Sequence, residues 1–254
     1  MALLEVNNLT LRFGGLIAVN DVSFTVEDGS ITGMIGQNGA GKTTIFNLLT
    51  HVYQPNSGTV ILDGEIMKGK KPHQAVARGL TRTFQNIRLF RNMPVIDNVK
   101  VGFIYQGKYS VPAGVFRLPS YWREEKSIHE KAMELLQVFD LDPYADYYAG
   151  NLPYGQQRQL EICRALATNP RVLLLDEPAA GMNPSETEAL MERIDAVRER
   201  FSIAILLIEH DMKLVMGICD KIVVLNYGCV IAEGIPENIK KNKEVIDAYL
   251  GCEV

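Results

Sequence analysis

Eight residues, Gly36-Gln37-Asn38-Gly39-Ala40-Gly41-Lys42-Thr43, fit the phosphate-loop spacing G-x-x-x-x-G-K-[ST]. Its glycines admit backbone angles at which successive N–H groups converge on phosphate oxygens. Lys42 has the reach for β- and γ-phosphates, and the Thr43 hydroxyl suits Mg²⁺. Asn38, Ala40 and Thr44 belong to the same loop and the helix start behind it, whose positive end faces the anion. A second constellation, Asp176-Glu177-Pro178, directly follows the apolar run Val172-Leu173-Leu174-Leu175. Ligands of open α/β sheets bind beyond the carboxyl ends of the strands, where two adjacent acids are costly unless used. Asp176 suits Mg²⁺, and Glu177 suits proton abstraction from an attacking water. A third, Glu209-His210-Asp211, follows the apolar run 203–208 and points His210 at the γ-phosphate. A fourth, Asn151-Leu152-Pro153-Tyr154-Gly155-Gln156-Gln157, opens a helical pattern and offers a second anion-binding helix start. It implies a second nucleotide, or the same site completed from another subunit.

These residues need elements to carry them. Residues 30–35 before the phosphate loop are apolar and β-prone, and 44–49 after it are helical, which is the strand–loop–helix context the motif requires. Residues 2–13 and 19–28 read as strands, with Phe13 before a Gly14-Gly15 turn. Residues 59–64 read as a further strand after the turn 54–58. A helix over 72–79 and a short strand over 80–85 follow. From about 94 to 168 the pattern is helical: a start at 94–99, an irregular insertion over 105–121, an amphipathic helix over 122–139 and another over 157–168. Alternation returns with strands at 172–175 and 203–208 and helices at 185–200 and 212–218. Strands at 221–226 and 229–232 flank Tyr227-Gly228, and Pro236 opens a helical tail. The pattern predicts a β-rich lobe grafted on an α/β nucleotide core.

The 254 residues, 47% hydrophobic and 22% charged, suffice for one large domain with a substantial core. The net charge of −4 comes without a basic stripe, so nucleic acid is not the expected partner. The four cysteines, at 163, 219, 229 and 252, lack Cys-x-x-Cys spacing, which suits a reducing cytosol and no metal cluster. The start of the chain carries no basic, apolar leader, and the longest strongly apolar run has six residues, against about twenty for a membrane span. A cytoplasmic protein is expected, one able to dock on a membrane partner.

Taken in order and spacing, the phosphate loop, Gln85, Leu152-Pro153-Tyr154-Gly155-Gln156, Leu175-Asp176-Glu177-Pro178 and His210 resemble the ATP-binding-cassette (ABC) ATPases over nearly the whole chain. Thr83-Phe84-Gln85-Asn86, Tyr154-Gly155-Gln156-Gln157-Arg158, Ile208-Glu209-His210-Asp211-Met212 and Val245-Ile246-Asp247-Ala248-Tyr249-Leu250-Gly251 bring it closest to ATPase subunits of branched-chain amino-acid importers. The resemblance implies an α/β phosphate-loop NTPase with three parts. They are an antiparallel β lobe (about 1–30 and 57–70), a helical signature subdomain (about 92–167) and a RecA-like core (the remainder). It implies ATP and Mg²⁺ as cofactors, with Thr43, Gln85 and Asp176 toward the metal. Phe13 would stack on adenine, Gln85 would sense metal and water, Glu177 would be the general base and His210 would steady the γ-phosphate. Leu152, Gly155 and Gln156, with Asn183, would contact the ATP of a partner cassette.

Two departures stand out. Pro153 and Tyr154 replace Ser and Gly of the usual Leu-Ser-Gly-Gly-Gln, removing a hydroxyl and an N–H. Asn183 replaces an acid at the end of Ala179-Ala180-Gly181-Met182-Asn183. The implied partners are a second cassette, identical or a sister subunit, integral membrane permease subunits, and indirectly a substrate-binding protein. The implied location is the inner face of the membrane. Asn86-Ile87-Arg88-Leu89-Phe90 mixes apolar and basic residues and is expected in the docking groove for the permease. A soluble ABC ATPase acting on DNA, ribosomes or a metal–sulfur assembly is the alternative. A small-molecule kinase would leave 152–156 and His210 without a role.

Overall fold

The computed structural model describes residues 2–67, 69, 71–104 and 116–250; most of the expected insertion at 105–121 lies outside them. Strands β1 (Ala2–Phe13), β2 (Leu16–Glu27), β4 (Ser57–Leu62) and β5 (Glu65–Ile66) form an antiparallel sheet of order β2-β1-β4-β5. The second strand begins at Leu16 rather than at 19, because Gly14-Gly15 closes a tight turn and Phe13 pairs directly with Leu16. The second sheet has the order β10-β9-β3-β8-β7-β6. It comprises β3 (Ile31–Gly36), β6 (Leu80–Arg82), β7 (Val172–Asp176), β8 (Ala204–Ile208), β9 (Lys221–Asn226) and β10 (Cys229–Gly234). All its neighbouring strands run parallel except β10 against β9.

That sheet is a wall shared by two cores, as a strand buried on both faces demands. Leu173, Leu175, Ile205 and Leu207 point into one core. It also holds Val95, Val99, Leu135, Leu136, Leu160 and Leu166 from the helical segment. Val172, Leu174, Leu206 and Ile208 point the other way, into a core filled by the antiparallel sheet and the phosphate-loop helix. The period-2 alternation along each strand thus fastens the two halves of the molecule to opposite faces.

The helices are α1 (Lys42–Leu49), α2 (Pro72–Ala77), α3 (Val95–Phe103), α4 (Pro119–Val138), α5 (Tyr154–Leu166), α6 (Pro184–Phe201), α7 (Met212–Ile218), α8 (Pro236–Lys241) and α9 (Lys243–Leu250). α4 starts at Pro119, which belongs to the helix and not to the loop before it: proline is at home in a first turn, where its missing N–H has no partner to lose. For the same reason α5 begins at Tyr154, three residues earlier than the apolar pattern suggests, with Pro153 at its N-cap. Gly102 lets α3 and α5 touch, since a Cβ there would meet Ala167 Cβ and the Arg164 carbonyl oxygen at 2.6 Å.

Candidate functional site

The carboxyl ends of the parallel strands gather the predicted residues. β3 runs into the phosphate loop, β7 ends on Asp176 with Glu177 next, and β8 is followed by Glu209 and His210. The register pairs Asp176 with Ile208, and the Glu177 N–H donates to the Ile208 carbonyl at 2.9 Å. Two acids and a histidine far apart in sequence are thereby set side by side.

The phosphate loop is held by close backbone approach. A Cβ on Gly36 would lie 2.5 Å from the Leu225 carbonyl oxygen, and Gly41 has φ +102° with Ala18 O 2.9 Å from where a Cβ would be. Only glycine fits both positions. The Lys42 side chain folds back over the loop, its Nζ donating to Gly36 O at 2.6 Å and to Gln37 O at 3.1 Å. Burial pulls the lysine pKa down, while Glu177 and Asp176 push it back up. The first turns of α1 and α5 have neither a side-chain cap nor an acidic residue. α6 and α7, by contrast, are capped by Asn183 and Asp211. The two helix starts predicted to meet anions thus keep their N–H groups available, a property that α4 shares without a motif at its start.

Beside the loop is a cleft of about 570 Å³. The residues from Asn38 to Thr44, with Gln85 and Glu177, line its polar end, and Phe13, Leu16 and Tyr227 line its apolar end. Phe13 is 46% exposed, and Tyr53 meets its ring edge-on at 5.3 Å, supporting it from one side. Leu16 and Tyr227 carry no motif; only the meeting of the β1–β2 and β9–β10 turns over the loop brings them here.

Glu177 is engaged at both oxygens: Gln85 Nε2 donates to Oε2 at 2.8 Å, and His210 Nε2 lies 2.6 Å from Oε1. Its backbone sits in the left-handed region, φ +50°. Asp176 is 1% exposed, and Arg82 Nη2 donates to its Oδ2 at 2.6 Å. Its Oδ1 has no hydrogen-bond partner. A buried carboxylate oxygen left over at the end of β7, with Thr43 and Gln85 lining the cleft, offers oxygens of the hard kind that Mg²⁺ takes. Glu209 is buried and accepts from the Ala179 and His210 N–H groups, fastening the loop after Glu177 to the one after β8. Burial raises its pKa, the two N–H donors lowering it in part.

The segment 152–156 lies apart from this cleft, on the helical side. Leu152 is 5% exposed and its side chain packs into the helical core, an apolar anchor for the turn before α5. Pro153 and Tyr154 are exposed and Gly155 half-buried. The Tyr154 ring lies 3.1 Å from where a Gly181 Cβ would be, so the bulk at 154 packs on Gly181. Gln156 Oε1 is buried without a partner. Asn183 is exposed, but its side-chain oxygen caps α6 by accepting the Glu186 N–H at 3.0 Å.

Comparison with known proteins agrees with this layout. The ABC transporter family profile matches residues 19–180, and the profile of the branched-chain amino acid ATP-binding cassette transporter matches 229–251. The chain is 49% identical to the high-affinity branched-chain amino acid transport ATP-binding protein BraF of Pseudomonas aeruginosa, and 48% identical to LivG, the protein of the same description from Escherichia coli K12. Each alignment covers 98% of both chains. Among solved structures, the ADP conformation of an ATP-binding cassette of an ABC transporter superposes with a TM-score of 0.86 at 32% identity, over 99% of each chain. A nucleotide-free cassette from an ABC transporter gives 0.84 at 31%, over 98% of this chain and 99% of that one. A phosphate loop under a shared β wall, an acid pair and a histidine on adjoining strands, and a separate glycine-bearing helix start converge with full-length sequence likeness: the chain belongs to the ABC transporter family, as an ATP-binding cassette.

Proposed function

We propose that this cassette is the ATP-hydrolysing subunit of a branched-chain amino-acid importer, working as one half of an ATP-gated pair. The carrying observation is Glu177, a carboxylate at the mouth of the phosphate-loop cleft, held by Gln85 on one oxygen and His210 on the other. Phe13 takes the adenine face, the loop from Gly36 to Thr43 binds the phosphates and Lys42 supplies a cation to them. Thr43, Asp176 and Gln85 would hold Mg²⁺, which neutralises charge on the phosphate oxygens when bound. Glu177 takes the proton of the attacking water, and His210 keeps its carboxylate oriented and meets the γ-phosphate.

None of residues 152–156 lines the cleft, and α5 presents its uncapped start apart from it. This supports completion of each site by Gly155 and Gln156 of a second cassette, identical or a sister subunit. A groove of about 660 Å³ runs beside Gln85, with apolar walls from Phe84, Leu89 and Phe90 and cations from Arg88 and Arg164. It supports docking of a permease subunit through 86–90. Among the described residues no helix is long and apolar enough to cross a membrane, so attachment to the inner face would come through that permease. The substrate class rests on the descriptions of BraF and LivG, and a binding protein that delivers it is part of the same proposal.

The test is Glu177→Gln. Mg–ATP binding stays within about threefold of wild type and phosphate release falls by about 10²-fold or more, the span expected of a lost general base. A variant that hydrolyses at the wild-type rate overturns the assignment of Glu177.

A further inference from the structure

Arg82 is absent from every motif that the sequence displays, yet it joins the Asp176 strand end to the helix that follows the phosphate loop. It is the last residue of β6, three positions before Gln85. Its side chain is 7% exposed. Nη2 donates to Asp176 Oδ2 at 2.6 Å, and Nη1 donates to Asn47 Oδ1 at 2.7 Å. The guanidinium lies 5.3 Å from the Phe46 ring centre and 5.4 Å from that of Phe84. Two acceptors on different elements and an aromatic ring on each of two neighbours fix a flat, two-armed cation in one orientation. A lysine has a single nitrogen and no plane, so it cannot satisfy the same set.

What the clamp spans matters more than its strength. Asn47 stands four residues after Thr43 on α1, so the two share a face of that helix. Asp176 ends β7. Arg82 therefore ties the helix face that carries the Thr43 hydroxyl to the strand end that carries the Asp176 carboxylate. It takes up one carboxylate oxygen and leaves the other, Oδ1, buried without a partner.

We propose that Arg82 is a positioning residue for the metal–phosphate site: it sets the spacing between Thr43 and Asp176 and leaves Asp176 Oδ1 as the carboxylate's contribution to the cation of bound nucleotide. This rests on the reading of the cleft as a Mg–ATP site. A residue that orients metal ligands from behind alters metal affinity about 10- to 100-fold when removed. A residue that merely holds the fold alters nucleotide binding with and without metal alike.

The experiment measures ATP affinity of the purified chain first in EDTA and then across a Mg²⁺ titration, for wild type, Arg82→Lys, Arg82→Gln and Asn47→Ala. Thermal unfolding establishes that each variant is folded. The expected result is an unchanged affinity in EDTA, within about twofold. The Mg²⁺ concentration for half-maximal enhancement rises about tenfold or more in both Arg82 variants, and less in Asn47→Ala, which loosens Arg82 without removing it. Should Arg82→Gln fail to fold, Arg82→Lys and Asn47→Ala carry the same comparison. An unshifted Mg²⁺ midpoint in folded variants, or an equal loss with and without metal, overturns the proposal while leaving the Mg–ATP site standing. A wild-type protein whose ATP affinity ignores Mg²⁺ overturns both.

Discussion

Arg158 of α5 donates to the carbonyl oxygen of Phe84 at 2.9 Å, and its second amino group donates to the carbonyl of Gln85. Glu161, one turn on, lies 3.6 Å from the same guanidinium and accepts the Arg88 N–H. Both side chains are 3% exposed. The helix that begins with the segment 154–156 is thus bolted to the backbone around Gln85, whose own side chain reaches Glu177. Removing Arg158 strands the buried Glu161 carboxylate and leaves the two carbonyl groups without this donor. Arg158→Met is expected to cost about 3–5 kcal/mol in urea unfolding, as for a broken buried ion pair. Adding Glu161→Leu to it should cost less than the sum of the two single changes, with a coupling of roughly 0.5–3 kcal/mol. A loss under about 1 kcal/mol for Arg158→Met would mean that the bolt is not closed in solution.

The same carboxylate gives a pH dependence. Burial raises the Glu161 pKa, and Arg88 N–H, Arg158, Arg164 and Phe84 N–H lower it in part. A carboxyl with a raised folded pKa holds its proton longer in the folded state than in the unfolded chain. Its contribution is therefore full below the ordinary glutamate range and is lost as pH rises through the raised value. The stability of wild type relative to Glu161→Gln should accordingly be greater at pH 5 than at pH 8. Chemical unfolding at the two pH values checks the sign, and the opposite order refutes it.

Phe13 offers an open ring face with Tyr53 behind it, so its part in nucleotide binding should be separable from that of the phosphate loop. Phe13→Ala is expected to weaken ATP binding about tenfold, within the ~1–3 kcal/mol range of base stacking on an aromatic ring. Inorganic tripolyphosphate, which has no base, should bind both proteins within about twofold. Isothermal titration distinguishes the cases, and an equal weakening for both ligands would place the effect in the loop instead.

Cysteine chemistry reports the packing independently. Cys163 is fully buried, and burial pushes its thiol far up; Cys219 is pushed up to about 12. Cys229 on β10 is half-buried. The thiolate is the reactive form. Iodoacetamide at pH 8 should therefore label Cys229 at least tenfold faster than Cys163 or Cys219 in the native protein, and all three alike in urea, as read by peptide mass spectrometry. Fast native labelling of Cys163 would contradict the core around α5.

The sequence made some parts of this site readable and hid others. The phosphate loop, the Asp176–Glu177 pair and His210 announce themselves because each is a polar cluster directly after an apolar run, and local spacing carries that signal. The long strands were readable for the same reason, their alternation being set by the two cores. The roles of Arg82, Arg158 and Glu161 were not, and Glu209, although it stands in the cluster with His210, gave no sign that it would hold the Ala179 N–H. In one dimension these residues look like members of solvated faces, and a decisive partner of each lies far along the chain, 94 positions in the case of Arg82 and Asp176. Tyr227 and Leu16 enter the cleft only because two turns meet above the loop. Leu152 sits inside a motif whose spacing says nothing about which of its residues is turned inward.

The backbone of Glu177, at φ +50°, has one more consequence. A long side chain in that conformation costs of order 1 kcal/mol or more, whereas glycine adopts it freely. The position proposed to carry the catalytic carboxylate is therefore one at which the chain alone would favour having no side chain at all. On the proposed reading of Glu177 as the general base, selection for a hardier protein and selection for a working one pull position 177 in opposite directions, and a screen for heat resistance alone would tend to lose that carboxylate.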